Sequence, residues 1–274
     1  TASILALSFT AACGSGQSTA SNSTDSDDIT QQTYKPGKLT IATGQPAYEP
    51  WVMNDKPESG EGYEAAVAYA VADKLGFKKS DVVWTRTAFD TAIAPGAKDW
   101  DFNIQQFGIT DERKKAVDFS SSYYNDSQSV VVKKDSKFAN ATKVSDLKDA
   151  TVGVMVGTLA YDYAKANIKD DIQTFNDDAA LAQALDAGQI DALVTSTVEC
   201  VYMVQSEQVK DAKVLGRLPD SEDKSGMGIV LPKDSKLTAA VTKAVDDLNA
   251  DGTIKKLQDK WLAEYTTDLT ELKK

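Results

Sequence analysis

Short apolar runs alternate with helix-like patterns along most of the chain from Lys38 onward. The apolar runs predict strands at 39–43, 81–86, 101–105, 129–133, 151–156, 191–195 and 227–231. Apolar residues that recur at helical spacing predict helices at 60–76, 90–97, 158–166, 179–187, 237–248 and 254–261. This alternation predicts an α/β fold with largely parallel sheets and right-handed crossovers, whose ligands bind at the carboxyl ends of the strands.

The pattern is different before Lys38. Residues 1–12, TASILALSFTAA, form an apolar run too short to span a bilayer, without an initiator Met or a basic start, and we interpret them as a signal-peptide remnant. Small residues lead into Cys13 and resemble the lipobox of bacterial lipoproteins, which implies a lipid anchor on Cys13. The alternative is an ordinary secretory signal with an incidental Cys. The rest of 13–37 is polar and predicts a flexible tether between membrane and folded domain.

Composition excludes several classes of function. The 274 residues, 42% of them hydrophobic, suffice for one large or two modest domains. A net charge of −11 disfavours nucleic-acid binding, and the absence of His removes His-based catalysis and most zinc sites. The only two Cys, Cys13 and Cys200, are too few for a disulfide framework or a thiolate metal cluster. We therefore expect no cofactor and no metal, and a lone buried or half-buried thiol at Cys200.

The stretch 101–124, DFNIQQFGITDERKKAVDFSSSYY, carries the clearest candidate chemistry. It predicts a short strand, a bend at Gly108 and a short helix capped by Thr110, with Arg113 one turn inside. A guanidinium beside free backbone groups at a strand end makes a carboxylate site, because its planar fork can hold both oxygens. The alternative is that Arg113 pairs on a solvated face with Asp111, Glu112 or Asp118.

A second candidate lies in the loop GQPAYEPW at 44–51. Two prolines stiffen this loop, so we expect Tyr48 and Trp51 to be presented in fixed positions. Aromatic faces of this kind can sandwich an apolar stem or attract a cation. The alternative for each aromatic residue is simple core packing, above all for Trp51.

From Leu39 to about Tyr265 the chain resembles the family 3 extracytoplasmic solute-binding proteins of polar amino-acid ABC importers. The segments that carry the resemblance, in order, are PAYEPW, GYEAAVAYAVADKLGF, AFDTAI, DFNIQQFGITDERKKAVDFSSSYY, SVVVKKDS, LKDATVGVMVGT, ALDAGQIDALV, GMGIVLPKDS and LNADGTIKKLQDKW. The resemblance implies a two-lobed, type II periplasmic-binding-protein-like fold. Two crossover strands, near 127–133 and 225–231, would form its hinge. One lobe would comprise 38–128 and 226–274, and the other 129–225.

The resemblance also implies roles for individual residues. Arg113 matches the arginine that clamps the ligand's α-carboxylate, and Thr158 matches the residue that assists it from the other lobe. The remaining matches are the turn positions Gln106 and Gly108, the aromatic wall Tyr48, Trp51 and Phe89, and Gln45 near the ligand's distal group.

One position departs from the family pattern. Where family members usually carry the Asp that holds the ligand's α-ammonium, this chain has Ser196. Ser accepts a hydrogen bond but adds no charge, and charge-assisted bonds are stronger. Glu199, three residues further on, could compensate; the alternative is a solvated helix residue. If neither serves, the ligand would be another small carboxylate or an N-substituted amino acid.

These features predict an extracytoplasmic, membrane-anchored monomer that captures a polar or neutral amino acid and delivers it to an ABC permease. We expect a binding protein and not an enzyme. Two alternatives stay open. A dehydratase acting on a cyclic carboxylate would need Glu199 or a nearby Asp as its acid or base. A receptor's ligand-sensing domain would need a transmembrane helix, and none is evident up to the final TTDLTELKK.

Overall fold

Two α/β lobes make up the part of the chain that the computed structural model describes, residues 28–266 and 269–274. The strands are β1 (Leu39–Thr43), β2 (Val82–Arg86), β3 (Phe102–Asn103), β4 (Val117–Tyr124), β5 (Gln128–Lys133), β6 (Val152–Met155), β7 (Gln173–Phe175), β8 (Ala192–Ser196), β9 (Ala212–Arg217) and β10 (Met227–Pro232). The α-helices are α1 (Tyr63–Lys74), α2 (Phe89–Ile93), α3 (Leu159–Asn167), α4 (Asp178–Asp186), α5 (Thr197–Gln205), α6 (Thr238–Ala250) and α7 (Thr253–Trp261).

Each lobe contains one five-stranded mixed sheet. The first sheet has the order β2-β1-β3-β10-β4, and the second has the order β7-β6-β8-β5-β9. In the first, β1 is parallel to β2 and β3, whereas β10 is antiparallel to β3 and β4. In the second, β6 is parallel to β7 and β8, whereas β5 is antiparallel to β8 and β9. The prediction of largely parallel sheets is therefore wrong. The antiparallel strands β5 and β10 are those that enter a sheet from the other lobe.

The first lobe is built around helix α1. Gly62 precedes the helix with φ 101°, and a Cβ there would lie 2.5 Å from the Trp51 carbonyl oxygen, so the position requires glycine. The apolar face of α1 packs with α6 and α7 against β1 and β10. Glu64 is also fully buried on this helix. This buried charge on a helix was not predicted from the apolar spacing.

The second lobe has an apolar core on each face of its sheet. Strands β5, β6 and β8 are mainly apolar and are buried except at their last residues, as expected where helices cover both faces. Cys200, on α5, is a buried free thiol in one of these cores. Helices α3 and α4 follow β6 and β7, so their N-termini lie at the carboxyl ends of strands.

The chain segments 125–127 and 218–226, which both pass from one lobe to the other, lie side by side. They are hydrogen-bonded to each other: Asp223 N donates to Asp126 O (2.8 Å), and Asn125 Nδ2 donates to Asp223 O (2.9 Å). A further bond joins Gln128 N to Ser221 Oγ (3.0 Å). The crossings therefore form one paired hinge rather than two independent links.

The predicted tether extends too far toward the domain. Residues 28–37 lie against the first lobe, where Tyr34 N donates to Asp101 Oδ1 (2.6 Å) and Thr33 is buried. The second oxygen of Asp101 accepts from Thr40 N (2.7 Å). The strand predicted at 101–105 is shorter in the structure and spans Phe102–Asn103. The predicted signal-peptide remnant and the lipid attachment at Cys13 lie outside the described residues.

The C-terminal residues 269–274 belong to the second lobe, not to the first as predicted. Leu272 is buried in the second lobe's core. Its amide donates to Arg217 O (2.9 Å), and Val144 N donates to Lys273 O (2.8 Å). These pairings are long-range in sequence, so local patterning could not reveal them. Among the described helices, none combines the length and apolarity needed to cross a membrane.

Candidate functional site

A cavity lies between the two lobes, next to the hinge. Its lining includes most of the residues predicted for the site, which are Tyr48, Trp51, Phe89, Gln106, Gly108, Arg113, Thr158, Ser196 and Glu199. Gln45 is the exception: it is exposed and is not part of the lining. Both lobes contribute walls, so a molecule in the cavity would touch both.

Arg113 bridges the lobes at one end of this cavity. Its Nη1 donates to Gly108 O in the first lobe (2.7 Å), and its Nη2 donates to Gly157 O in the second (2.8 Å). No carboxylate within the described residues forms an ion pair with it. Burial lowers the pKa of the Arg113 guanidinium from its ordinary value, and the charges of Asp162 and Asp223 partly oppose this. The group remains charged and can still receive an anion.

The local structure around Arg113 follows the sequence prediction. Thr110 Oγ1 accepts from Arg113 N (3.1 Å), and a short 3-10 helix spans Arg113–Lys115. The neighbouring acids do not use Arg113: Glu112 pairs with Lys115, and Asp118 pairs with Lys233. The alternative of a surface ion pair within the segment is therefore wrong.

Thr158 caps helix α3 on the opposite wall. Its Oγ1 accepts from Tyr161 N (3.2 Å) and donates to Met155 O (2.8 Å). Gly157, immediately before it, has φ 74° in the left-handed region. The turn therefore aims the start of α3 at the cavity, where the helix dipole favours an anion.

The predicted aromatic wall divides into two parts. Phe89 stacks on Phe107 with ring centroids 4.6 Å apart, and the Arg113 guanidinium lies 5.5 Å from the Phe89 centroid. Trp51 is only 1% exposed and packs on lobe residues such as Tyr124, yet it also lines the cavity. Trp51 therefore packs in the core of the first lobe and also lines the cavity.

Gln106 is held in place by Glu64. Gln106 has φ 51°, an uncommon backbone conformation for a residue other than glycine. Glu64 Oε1 accepts from Gln106 N (2.7 Å), Glu64 Oε2 accepts from the Gln106 side chain, and Tyr123 Oη also donates to Glu64. Burial raises the pKa of Glu64 to about 7, against the effect of these hydrogen bonds. The buried carboxyl group thereby fixes the turn that leads to Gly108.

Ser196 and Glu199 have different tasks in the structure. Ser196 Oγ accepts from Glu199 N (3.3 Å) and caps helix α5. Glu199 is 3% exposed, so the alternative of a solvated helix residue is wrong. Burial raises its pKa well above the usual range, the charge of Asp178 raises it further, and a hydrogen bond from the Trp51 indole opposes both.

The cavity also contains polar residues that were not predicted. They are Gln105, Asp126, Gln128, Asp178, Thr195 and Asp223. Asp126 lies between β4 and β5, and Asp178 is the first residue of α4; such positions are more often turn or helix-start residues than ligand contacts. The signal available in the sequence was their place at strand and helix ends, where ligands of α/β sheets bind.

The two ends of the cavity differ in charge. Arg113 and the start of α3 lie at one end, and the half-buried Asp178 and the buried Glu199 lie in the wall formed by α4 and α5. Such a cavity suits a small molecule with an anionic group at one end and a cationic group at the other. Within the described residues, no cluster of three or more His, Cys, Asp or Glu side chains is arranged to hold a metal ion.

Further contacts hold the lobes together around the cavity. Ala179 N, at the start of α4, donates to Tyr48 Oη across the cleft (3.3 Å). Tyr202 Oη, on α5, donates to Glu49 Oε2 (2.9 Å), and its ring meets Tyr265 edge-on at 5.7 Å. The structure thus has its lobes closed upon each other.

Comparisons with known proteins agree with this architecture. Residues 39–264 match the model of the bacterial extracellular solute-binding proteins, family 3. The L-arginine-binding protein of Pseudomonas aeruginosa is 29% identical over 245 residues, which cover 84% of this chain and 88% of that protein. The L-cystine-binding protein TcyJ of Escherichia coli (strain K12) is 30% identical over 223 residues, covering 80% of this chain and 81% of that protein. A solved structure of an ancestral arginine-binding protein bound to arginine has a TM-score of 0.70 and 31% identity, covering 82% of this chain and 98% of that one.

Proposed function

The chain belongs to the bacterial extracellular solute-binding proteins of family 3, and we propose that it captures an amino acid between its lobes for delivery to an ABC permease. Arg113 would clamp the ligand's α-carboxylate, assisted by Thr158 and the N-terminus of α3. Gly108 and Gln106 would offer backbone groups at the turn. Phe89, Tyr48 and Trp51 would cover the ligand's apolar or cationic parts, and its amino group would point toward the acids of α4 and α5.

Arg113 is the observation that carries this proposal. Its half-buried guanidinium contacts a carbonyl oxygen from each lobe and has no carboxylate partner among the described residues. A desolvated cation without a counter-ion is costly, and a ligand carboxylate would relieve that cost while joining the two lobes. Ligand-dependent closure follows because only the closed form offers both sets of contacts.

The relatives suggest which amino acids to test first. Two proteins similar to this chain are named for binding L-arginine and L-cystine. Both molecules carry at least one carboxylate and one ammonium group. A cavity with a guanidinium at one end and buried carboxylates at the other supports either ligand better than an acidic amino acid.

The site of action is outside the cytoplasm, as in the rest of the family. We propose that a lipid on Cys13 anchors the protein, that the residues between Cys13 and Asp28 span the distance to the folded domain, and that it acts as a monomer. Palmitate labelling of wild type but not Cys13→Ser would support the anchor. Labelling that persists in Cys13→Ser would contradict it.

A thermal-shift screen across amino acids tests the main proposal. A ligand that binds only the folded state raises the unfolding temperature in proportion to its occupancy. Arg113→Ala should weaken the best hit by about 2–5 kcal/mol, the usual cost of removing one partner from a buried charge pair. Arg113→Lys retains the charge but loses the planar fork, so its affinity should lie between those of Arg113→Ala and wild type. Undiminished binding in Arg113→Ala would show that the clamp lies elsewhere.

Glu199 keeps one alternative worth testing. A buried carboxyl group with a raised pKa, facing a cleft, is a suitable general acid for a dehydratase acting on a cyclic carboxylate. A binding protein returns its ligand unchanged, whereas a dehydratase converts it. Incubation with a cyclohexadienyl carboxylate followed by spectroscopy of the product distinguishes the two.

A further inference from the structure

Two acids of the cavity wall, the buried Glu199 and the half-buried Asp178, have few partners for their carboxylates. Glu199 is 3% exposed, and its Oε1 has no hydrogen-bond partner. Asp178 has one long hydrogen bond, from Thr195 Oγ1 at 3.4 Å. No described Lys or Arg forms an ion pair with either acid. Buried carboxylates in folded proteins are normally paired or fully hydrogen-bonded, so the unpartnered oxygen of Glu199 can receive a proton or a cation.

Helix capping does not account for these two acids. Helix α4 is already capped by Asp177, whose Oδ1 accepts from Ala180 N (2.8 Å). Helix α5 is already capped by Ser196. Asp178 and Glu199 each lie in the first turn behind such a cap, where the helix dipole favours an anion but no backbone bond consumes the carboxylate.

Asp126 provides an internal comparison. It is also a buried acid on the cavity, and the same burial raises its pKa to about 6. Its two oxygens, however, accept from Ser127 N (2.7 Å) and Val198 N (3.3 Å). Its carboxylate is therefore occupied by the hinge and by α5, whereas an oxygen of Glu199 is left for a ligand.

The groups that face the two acids are anionic or neutral. The negative charge of Asp177, which caps α4, raises the pKa of Asp178, and the negative charges of Asp178 and of Asp126, in the first crossing, raise the pKa of Glu199. From the first lobe, the Tyr48 hydroxyl and the Trp51 indole lie close to them, and from α5 itself come Cys200 and Tyr202. Burial, followed by the neighbouring negative charges, raises the pKa of both acids, whereas the hydrogen bonds from Trp51 to Glu199 and from Thr195 to Asp178 oppose the rise.

We propose that Asp178 and Glu199 form one binding pair for the ligand's cationic group, and that the pair shares a single proton until that group enters and displaces it. This rests on the proposed function, since it needs a cationic ligand whose carboxylate reaches Arg113. On binding, the carboxyl O–H bond breaks, the proton passes to solvent, and the ammonium or guanidinium takes its place between the two carboxylates. The pair supplies the negative charge that Ser196 lacks.

The reason for proton sharing is mutual repulsion. Two carboxylates in one desolvated site do not readily ionise together without a cation. A bound cation removes both the repulsion and part of the desolvation penalty. Ligand uptake is therefore coupled to proton release, and affinity should rise with pH by up to about tenfold per pH unit for one released proton. The coupling also selects for an ammonium- or guanidinium-bearing ligand over a simple carboxylate.

Isothermal titration calorimetry with L-arginine and L-cystine measures this coupling. Titrations at pH 6.5 in phosphate and in Bis-Tris, whose ionisation enthalpies differ, should show a net release approaching about one proton per ligand. Glu199→Gln leaves one acid, which ionises without its neighbour's repulsion, so both the release and the pH dependence should largely disappear while affinity falls at least about tenfold. Asp178→Asn should weaken binding in the same direction and keeps the test valid if Glu199→Gln fails to fold. Asp177→Asn is the matched control, because it removes the adjacent charge but retains a capping side chain, and it should preserve proton release.

The outcomes separate this inference from the proposed function. Amino-acid binding that needs Arg113 but is independent of pH from 5.5 to about 8, with no net proton release, would overturn the pair and leave the proposed function intact. Unchanged affinity in both Glu199→Gln and Asp178→Asn would do the same. A complete absence of amino-acid binding to wild type would overturn both.

Discussion

Replacing Gly108 with alanine is expected to weaken ligand binding by obstructing closure of the lobes. A Cβ on Gly108, in the first lobe, would lie 2.5 Å from Leu159 Cδ1 in the second lobe and 2.9 Å from Asp223 Oδ2. Those separations are well inside van der Waals contact, so a side chain must move or the lobes must stay further apart. The φ of Gly108 is not in the left-handed region, so its backbone accepts alanine. The substitution therefore acts on closure and not on the local fold.

The magnitude follows from the nature of the clash. Overpacking a well-fitted interface costs typically 1–3 kcal/mol, and the clashing Leu159 atom is the end of a flexible side chain, which favours the lower half of that range: about 1–2 kcal/mol. That cost falls on the closed form alone and converts to a Kd roughly five- to thirtyfold weaker. Calorimetry with the best amino-acid ligand measures the Kd. Urea unfolding without ligand should show little change, and small-angle scattering should show reduced compaction at equal ligand concentration.

A double-mutant cycle tests the physical cause. Leu159→Ala removes the atom that the new methyl group of Gly108→Ala would meet. The loss of affinity caused by Gly108→Ala should therefore be smaller in the Leu159→Ala background than in the wild-type background. An unchanged Kd in Gly108→Ala would refute the reasoning. So would a loss of affinity that is the same whether or not Leu159 is truncated.

Three further predictions follow from other contacts. Tyr202→Phe removes the hydroxyl that donates to Glu49 across the cleft, and it should weaken ligand binding by about 1 kcal/mol in calorimetry. Urea unfolding of the ligand-free protein should not change. A change in unfolding without a change in binding would contradict a role of this contact in closure. Burial raises the pKa of Glu64 from 4.5 to about 7. The folded state therefore holds this proton more tightly than the unfolded state, and the resulting contribution to the free energy of unfolding is complete below pH 4.5 and lost as the pH rises through 7. The difference in unfolding free energy between wild type and Glu64→Gln should accordingly fall by up to about 3 kcal/mol across that range, and a flat difference would disprove the shift. Leu272→Ala should cost about 2–5 kcal/mol in urea unfolding, whereas the exposed Glu271→Ala control should cost little; equal effects would refute the packing of the C-terminal residues on the second lobe.

The elements that sequence patterns could predict are those with local causes. Strand and helix alternation, the Thr110 cap and the position of Arg113 at a strand end all depend on residues within a few positions of one another. The mixed character of the sheets, by contrast, depends on β5 and β10 entering from the opposite lobe. The placement of Leu272 in the second lobe likewise depends on a partner strand far away in sequence. No local periodicity encodes either pairing.

Gln45 shows the same limit within the site. The turn-rich loop after β1 was correctly expected to present aromatic residues, and Tyr48 and Trp51 do line the cavity. Gln45 in the same loop is exposed, because each residue of an irregular turn takes its own direction. Side-chain direction in a loop depends on individual backbone angles, and the pattern of residue types does not specify them.

The two helix starts in the second lobe explain why Glu199 was predicted from the sequence and Asp178 was not. In α4 and α5 the capping residues, Asp177 and Ser196, have the local signature that sequence reasoning can find. The acids that line the cavity, Asp178 and Glu199, come one and three positions after those caps. In α4 the cap and the cavity residue are both aspartates, so residue type alone does not tell them apart. Which acid caps and which faces the cleft is decided by the rotation of about 100° between successive helix residues, relative to a lobe brought in by the hinge. An acid in the first turn after a capping residue is therefore the better candidate for binding, because its carboxylate accepts no hydrogen bond from the helix backbone.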